Sequence, residues 1–397
     1  MNVGHRISRG RVLLPDGRIR ERDVVIDGGR IAGIEQPARS GLDAVDTDAD
    51  GLLVVPGFVD THVHGALGRN FMEGSPDAAD AIGAFLVRHG VTSVTAATAS
   101  LPRPAFEESV GRFPSFLGRR AHGLDVLGVH LEGPFLSPRS RGAHRADAVR
   151  DPDLAEIGRL VAALGDALLI VTLAPEAPHA LEAVRTLRSA GVSVSIGHSD
   201  ADGATARAAI AAGASRATHL FNAMPERRGD SLVSALLADP GVRVEIIADG
   251  HHVPPEVVAA LYREVGPDRI VVVSDGSDGT GLPDGPHRRW EGTDVVISEG
   301  ASRTHEGMLA GSVTPLDDAL RFLVSRARVP LPDALRSLST TPAASIGASQ
   351  KGRIRVDADA DLVLLDPDLR VVATIAGGRT IHRAPGFVGA PGDGAST

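Results

Sequence analysis

Apolar and polar positions along the chain fall into three textures. Residues 1–55 carry short strand-like stretches, Arg11 to Leu14, Asp23 to Ile26, Arg30 to Ile34 and Leu52 to Val55, and the Asp27-Gly28-Gly29 turn between two of them is a hairpin signal. The same texture returns at Asp361 to Leu365, Arg370 to Ile375 and Arg379 to His382, with Gly377-Gly378 joining the last two. Between these segments, apolar runs that end in polar residues alternate with Ala-rich, helix-prone stretches. The runs are Gly57 to His64, Val91 to Ser100, Val126 to Glu132, Ala167 to Pro175, Val192 to His198, Ala214 to Asn222, Val242 to Asp249 and Ile270 to Asp275.

Eight strand-then-helix units predict a (β/α)8 barrel. An open doubly wound sheet is the other way to wind such units, but the Gly-rich phosphate fingerprint after its first strand is missing here. The expected organisation is an α/β protein: a TIM barrel over 56–350, a small β-sandwich domain assembled from 1–55 and 351–383, and a mobile tail over 384–397, rich in Gly, Ala, Pro and Ser.

Composition narrows the function classes. Hydrophobic residues make up 43% and charged residues 23% of the 397, a globular balance that excludes a disordered or fibrous chain. Fifty acidic against 41 basic residues give a net charge of -9, so a broad nucleic-acid surface has no electrostatic support, and an anionic small molecule needs a local basic pocket. No apolar run approaches the ~18 residues of a membrane span, and the N-terminal stretch lacks the apolar core of a secretory signal. A cytoplasmic protein is expected. Cysteine is absent, so any metal site must use His, Asp or Glu, and Lys351 is the single lysine.

Barrel active sites are built at the carboxyl ends of the strands, and here those ends carry His62 and His64, Glu132, His198, His219 and Asp275. On a strand, i and i+2 point the same way, so His62 and His64 aim together into the barrel mouth. A lone barrel histidine is usually a hydrogen-bonded core residue, but five ligand-type residues ending four strands, with an aspartate ending another, read as a metal centre. His/carboxylate ligation suits zinc or iron. Asp275, beside a divalent cation, stays ionised near neutral pH and is placed for proton transfer.

The constellation resembles the amidohydrolase superfamily, with Pro56-Gly-Phe-Val-Asp60-Thr-His62-Val-His64-Gly similar to its opening signature. His130-Leu-Glu132-Gly-Pro-Phe, Gly197-His198-Ser, Thr218-His219-Leu-Phe-Asn222-Ala223-Met-Pro and Ile247-Ala-Asp249-Gly-His-His252 resemble the N-acetylglucosamine-6-phosphate deacetylases within it. The resemblance implies deacetylation of N-acetyl-D-glucosamine 6-phosphate in amino-sugar catabolism and cell-wall recycling. It places Glu132, His198 and His219 on a first divalent metal. Many members bridge two metals with a carboxylated lysine; since Lys351 lies outside the barrel, Glu132 is expected to do so, with His62 and His64 holding a second ion. The same resemblance puts His144 on the substrate acetamide and the Ala143 carbonyl on the sugar. It also puts Asn222, Ala223 and His252 on the phosphate, along with Arg228 from the other subunit of a homodimer. Asp249 and the Leu309-Ala310-Gly311 loop are carried over as substrate contacts. The arginine loop, Glu226-Arg227-Arg228-Gly229, is displaced by about two residues from the family pattern, which leaves Arg227 as an alternative. His130 is expected to support rather than ligate, and Trp290 with the Gly-rich stretch 276–287 to form a lid-like loop after the eighth run. Two rivals remain. Another amide hydrolase, for N-acyl-amino acids or cyclic amides, needs a carboxylate-binding group in place of the phosphate site, and a catalytically silent barrel is expected to have lost a ligand or the proton shuttle.

Overall fold

The eight apolar runs pair side by side in chain order, as parallel strands β1 (Phe58–Val63), β2 (Val91–Ala97), β3 (Leu124–Glu132), β4 (Leu168–Leu173), β5 (Ser193–Ile196), β6 (Arg216–Ala217), β7 (Arg243–Ile247) and β8 (Ile270–Val273). The structure, a computed structural model, describes residues 5–37, 47–225 and 229–387. Every position of β1, β2 and β8 is buried, as strands covered on both faces require. The barrel closes just beyond the last strand, where the Asp275 N–H donates to the His62 carbonyl at 2.9 Å and the His64 N–H to the Gly276 carbonyl at 2.8 Å. Closure therefore brings the residues after β1 and β8 side by side.

A helix follows each strand and packs outside the barrel. Helix Leu154–Leu164 is representative: the Asp153 side chain caps it by accepting the Ala155 N–H, and Ile157, Leu160 and Leu164 form its buried stripe. Among the described residues no helix is long and apolar enough to cross a membrane. The sixth strand is shorter than its apolar run. Ladder pairing stops at Ala217, because His219, Phe221 and Ala223 adopt positive φ (28°, 77° and 52°), a backbone incompatible with a strand.

The terminal segments build the expected small domain as one eight-stranded sheet, in which Leu53–Pro56 pairs antiparallel with Leu362–Leu365. Its two hairpin turns meet, the Gly378 N–H donating to Ala360 and the Ala360 N–H to Gly29. The sheet thereby wraps around its own core of Ile7, Val24, Ile31, Leu362 and Ile375. Residues 384–387 of the expected tail form a turn beyond the last strand, Arg379–Arg383, that stays on this domain, with the Ala384 N–H donating to Val372 and Phe387 packed on the small core; 388–397 lie outside the described residues.

Lys351 joins the two domains. It is buried and ion-paired to Asp125 on β3 and, in the small domain, to Asp361 at 2.7 Å and Asp359 at 3.0 Å. Burial alone pushes the ammonium pKa down, but the Asp361 and Asp125 carboxylates reverse this and raise it. Replacing Lys351 with Met leaves three carboxylates around an apolar side chain and is expected to destabilise the fold by roughly 3–5 kcal/mol, the cost of breaking a buried ion pair. Urea denaturation of both proteins measures the difference; equal midpoints would show that the cluster holds nothing together.

The stretch after β8 differs from the expected loop. Residues 285–312 form a four-stranded antiparallel sheet, Gly285–Arg288, Asp294–Ser298, Ala301–Thr304 and Leu309–Ser312, inserted before helix Leu316–Ser325. The alternating burial of Asp294–Ser298 is the strand signature that a Gly-rich neighbourhood conceals in the sequence. Trp290 packs partly buried against the main core.

Candidate metal and substrate site

Glu132 ends β3 at the centre of five imidazoles. Its Oε1 lies 3.1 Å from His198 Nε2, 3.0 Å from His219 Nε2 and 3.4 Å from His62 Nε2, and its Oε2 lies 3.4 Å from His64 Nε2 and 3.2 Å from His144 Nε2. Asp275, just beyond β8, places Oδ1 at 3.1 Å from His64 Nε2 and 3.6 Å from His62 Nε2. His198, His219 and Asp275 all sit at positive φ (48°, 28° and 47°). Such strain persists only where surrounding structure enforces it, and it clusters at functional sites.

The hydrogen bonds fix which nitrogens are free to ligate. His198 Nδ1 lies 3.0 Å from the Ser140 carbonyl and must donate, which leaves Nε2 with its lone pair. His62 does the same through Nδ1 to Glu245 at 3.3 Å, and its buried Nε2 has no hydrogen-bond partner. Ligand atoms about 2.0–2.1 Å from a tetrahedral ion stand roughly 3.3–3.5 Å apart. Glu132, His198 and His219, whose ligating atoms are mutually 3.0–3.1 Å apart, match that set closely. The group of His62, His64 and Glu132 forms a second one, with Asp275 alongside. The residues present therefore fit a divalent cation.

Two other histidines close by have different roles. His144 Nδ1 accepts the Ser100 N–H at 3.2 Å, so in the neutral ring Nε2 carries the proton and acts as a donor. His130 uses both nitrogens, Nδ1 on the Thr61 carbonyl and Nε2 on the Thr172 hydroxyl. Burial, with the neighbouring His62 charge, pushes its pKa down to about 3, so it stays neutral and braces the His62 ring, 4.4 Å away between centroids.

Charges in the centre hold one another. Burial opposes ionisation of Glu132 and Asp275, yet the imidazoles, His62 first, hold both well below the usual carboxylate range; the two carboxylates in turn raise the pKa of His62 against its burial, so a cation binding there would displace the proton from its Nε2. Beneath them lies a layer that sequence reasoning missed. Arg216 on β6 is fully buried and donates to Glu245 Oε1 at 2.6 Å, while Glu245 Oε2 receives His62 Nδ1. Asp60 joins β1 to β8 by accepting the Ser274 hydroxyl at 2.5 Å. The available signal was charge inside apolar strands: Glu245 in Val-Glu-Ile-Ile and Arg216 at the start of its run.

The pocket above the centre is lined by His64, Glu132, His198, His219 and Asp275, by Gly142, Ala143, His144 and Asn222, and by Arg289, Glu291, Leu309 and Gly311 from the inserted sheet. Five of the ten residues expected on the substrate, Ala143, His144, Asn222, Leu309 and Gly311, are thus brought together. Ala310 is buried behind its neighbours. Asp249 and His252 lie off this wall and bind each other, Oδ2 to Nδ1 at 2.7 Å, with His252 Nε2 buried and unpartnered. Ala223 sits beside Gly142, where its backbone accepts the Ser199 N–H. Arg227 and Arg228 lie outside the described residues.

A barrel that gathers histidines and carboxylates at its strand ends is the scaffold of a metal-dependent hydrolase. The chain belongs to the amidohydrolase family, whose model matches residues 53–381. It is 34% identical over 370 residues to N-acetylgalactosamine-6-phosphate deacetylase of Escherichia coli O157:H7, covering 92% of this chain and 96% of that one. It is 35% identical to N-acetylglucosamine-6-phosphate deacetylase of Bos taurus, covering 95% and 94%. Among solved structures, a variant of N-acetyl-D-glucosamine-6-phosphate deacetylase from Mycobacterium smegmatis, in complex with N-acetyl-D-glucosamine 6-phosphate, is similar with a TM-score of 0.89 and 33% identity, over 96% of this chain and 100% of that one.

Proposed function

We propose that this chain hydrolyses the acetamide of N-acetyl-D-glucosamine 6-phosphate to acetate and D-glucosamine 6-phosphate, a step of amino-sugar metabolism. The observation that carries the reading is one pocket holding a metal-fitting Glu132, His198 and His219, an ionised Asp275 and a proton-donating His144. Glu132, His198 and His219 would hold the first divalent cation, and His62 and His64 a second, with Glu132 shared. Bound there, the cation supplies Lewis acidity, acidifying water and polarising the amide carbonyl. Asp275 takes the proton from the attacking water and passes it to the departing amine. His144 Nε2–H donates to the acetamide oxygen as negative charge develops on it. Ala143 offers its carbonyl to the sugar, and Asn222, Ala223 and His252 meet the phosphate.

Acetate release measured over N-acetylglucosamine, N-acetylgalactosamine and N-acetylmannosamine, each with and without 6-phosphate, and over N-acyl-amino acids tests this. Turnover is expected to be fastest for the phosphorylated sugars, with only slow turnover of the unphosphorylated ones; preference for N-acyl-amino acids would replace the reading with that of the rival amide hydrolase. The relative from Escherichia coli O157:H7 makes the galactosamine epimer the second substrate to consider.

With ample zinc or iron, the protein is expected to hold close to two ions per chain, and His62→Ala about one. Elemental analysis returning a single ion for both proteins would remove the second site. The phosphate is proposed to meet Arg228 of the partner in a homodimer. Arg228→Ala is expected to lower kcat/KM for the phosphorylated sugar by about tenfold to a hundredfold and to spare the unphosphorylated one. Arg228→Ala subunits mixed with Asp275→Asn subunits should regain part of the activity, since one site of each mixed dimer is complete. No recovery, or a loss that follows Arg227→Ala instead, assigns the wrong subunit or the wrong arginine.

A further inference from the structure

The inserted sheet brings an ion pair into the pocket that the proposed mechanism does not use. Arg289 and Glu291 sit in the turn between strands Gly285–Arg288 and Asp294–Ser298, and both line the pocket with Glu132 and Asp275. Their side chains are only 6% and 2% exposed, with Arg289 Nε 2.7 Å from Glu291 Oε1. Glu291 Oε2 is buried without a hydrogen-bond partner. A buried, unpaired carboxylate oxygen is costlier than a buried, unpaired neutral group, so its persistence in a binding pocket calls for a donor that arrives with the ligand.

The turn is held rigidly. The Arg289 N–H donates to the Thr293 carbonyl at 2.9 Å and the Gly292 N–H to the Arg289 carbonyl at 2.8 Å. The Trp290 N–H donates to Asp278 Oδ2 at 2.6 Å, in the loop that closes the barrel. Arg145, next to His144, reaches the Glu291 carbonyl at 3.4 Å. Glu291 is thus positioned relative to both the closing loop and the acetamide-binding loop.

We infer that Glu291, braced by Arg289, accepts a hydrogen bond from a ring hydroxyl of the sugar, so that the inserted sheet reads the sugar while the barrel performs the hydrolysis. This rests on the deacetylase reading above. A phosphorylated N-acetylhexosamine offers a carboxylate few partners. Its phosphate is repelled by Glu291, its acetamide oxygen is an acceptor, and its amide nitrogen belongs to Asp275, which must protonate it. The hydroxyls remain.

The test compares wild type with Glu291→Gln on N-acetylglucosamine 6-phosphate and its 1-, 3- and 4-deoxy analogues. Arg289 claims the amide oxygen of the glutamine, which turns an NH2 toward the sugar and removes the acceptor. For the parent sugar, kcat/KM is expected to fall by about tenfold to a hundredfold. For the one analogue that lacks the recognised hydroxyl, the two proteins should be nearly equal. Calorimetric binding of glucosamine 6-phosphate and its deoxy counterparts should repeat the pattern without turnover, and Glu291→Asp, which keeps the charge but withdraws it by a methylene, should lose the same selectivity. An equal loss on all four substrates, or none on any, overturns the inference. Wild type that releases acetate yet shows no selective loss in either variant removes this inference alone; wild type that releases none from the parent sugar removes the deacetylase reading and the inference with it.

Discussion

His219→Ala is expected to lower affinity for the first metal by more than a hundredfold and to bring acetate release close to zero. Its Nε2, His198 Nε2 and Glu132 Oε1 form a triangle with 3.0–3.1 Å sides, and a three-ligand catalytic site has no spare donor to substitute for a missing one. A comparison within the same protein sharpens the expectation. Glu245→Gln keeps an oxygen for His62 Nδ1 but removes the charge that both orients His62 and pairs with the buried Arg216, and loss of such a supporting partner costs about 10- to 100-fold in affinity or activity. Metal content after exhaustive dialysis, followed by acetate release on titrating metal back, measures both variants. If His219→Ala retains its ion as tightly as wild type, His219 is not a ligand.

Asp275→Asn is expected to lower kcat by at least ~10²-fold, the lower end of general acid-base contributions, while KM and metal content change far less. The carboxylate is held ionised despite burial because His62 and His64 face it at 3.6 and 3.1 Å. An amide of the same shape can neither take a proton from water nor return one to the amine. Steady-state kinetics with matched metal loading decides the matter, and wild-type kcat in the variant would dismiss Asp275 as the shuttle. A variant that loses metal in proportion to activity would make Asp275 a ligand rather than a proton carrier.

Much of the centre was legible because its cues are local. A strand repeats every two residues, so His62 and His64 had to share a face, and the barrel rule puts strand-ending residues, Glu132, His198, His219 and Asp275 among them, at one mouth. What the sequence by itself determined was this set of residues, the eight-unit barrel, and the exclusion of thiolate or lysine ligands by the absence of cysteine and the location of Lys351. Only the tertiary structure decided which nitrogens are free, because that depends on partners far along the chain: Ser140 for His198, Ser100 for His144, Glu245 for His62. It alone decided that Arg216 and Glu245 lie under the centre, since a charge within an apolar run looks like an interruption until its counter-charge, 29 residues away, is placed beside it. The inserted sheet that brings Arg289 and Glu291 into the pocket was hidden for the same reason. Its glycines and short strands give weak local signals, and its position comes from long-range contacts such as those of Trp290 with Asp278 and Arg145 with Glu291, which no periodicity encodes.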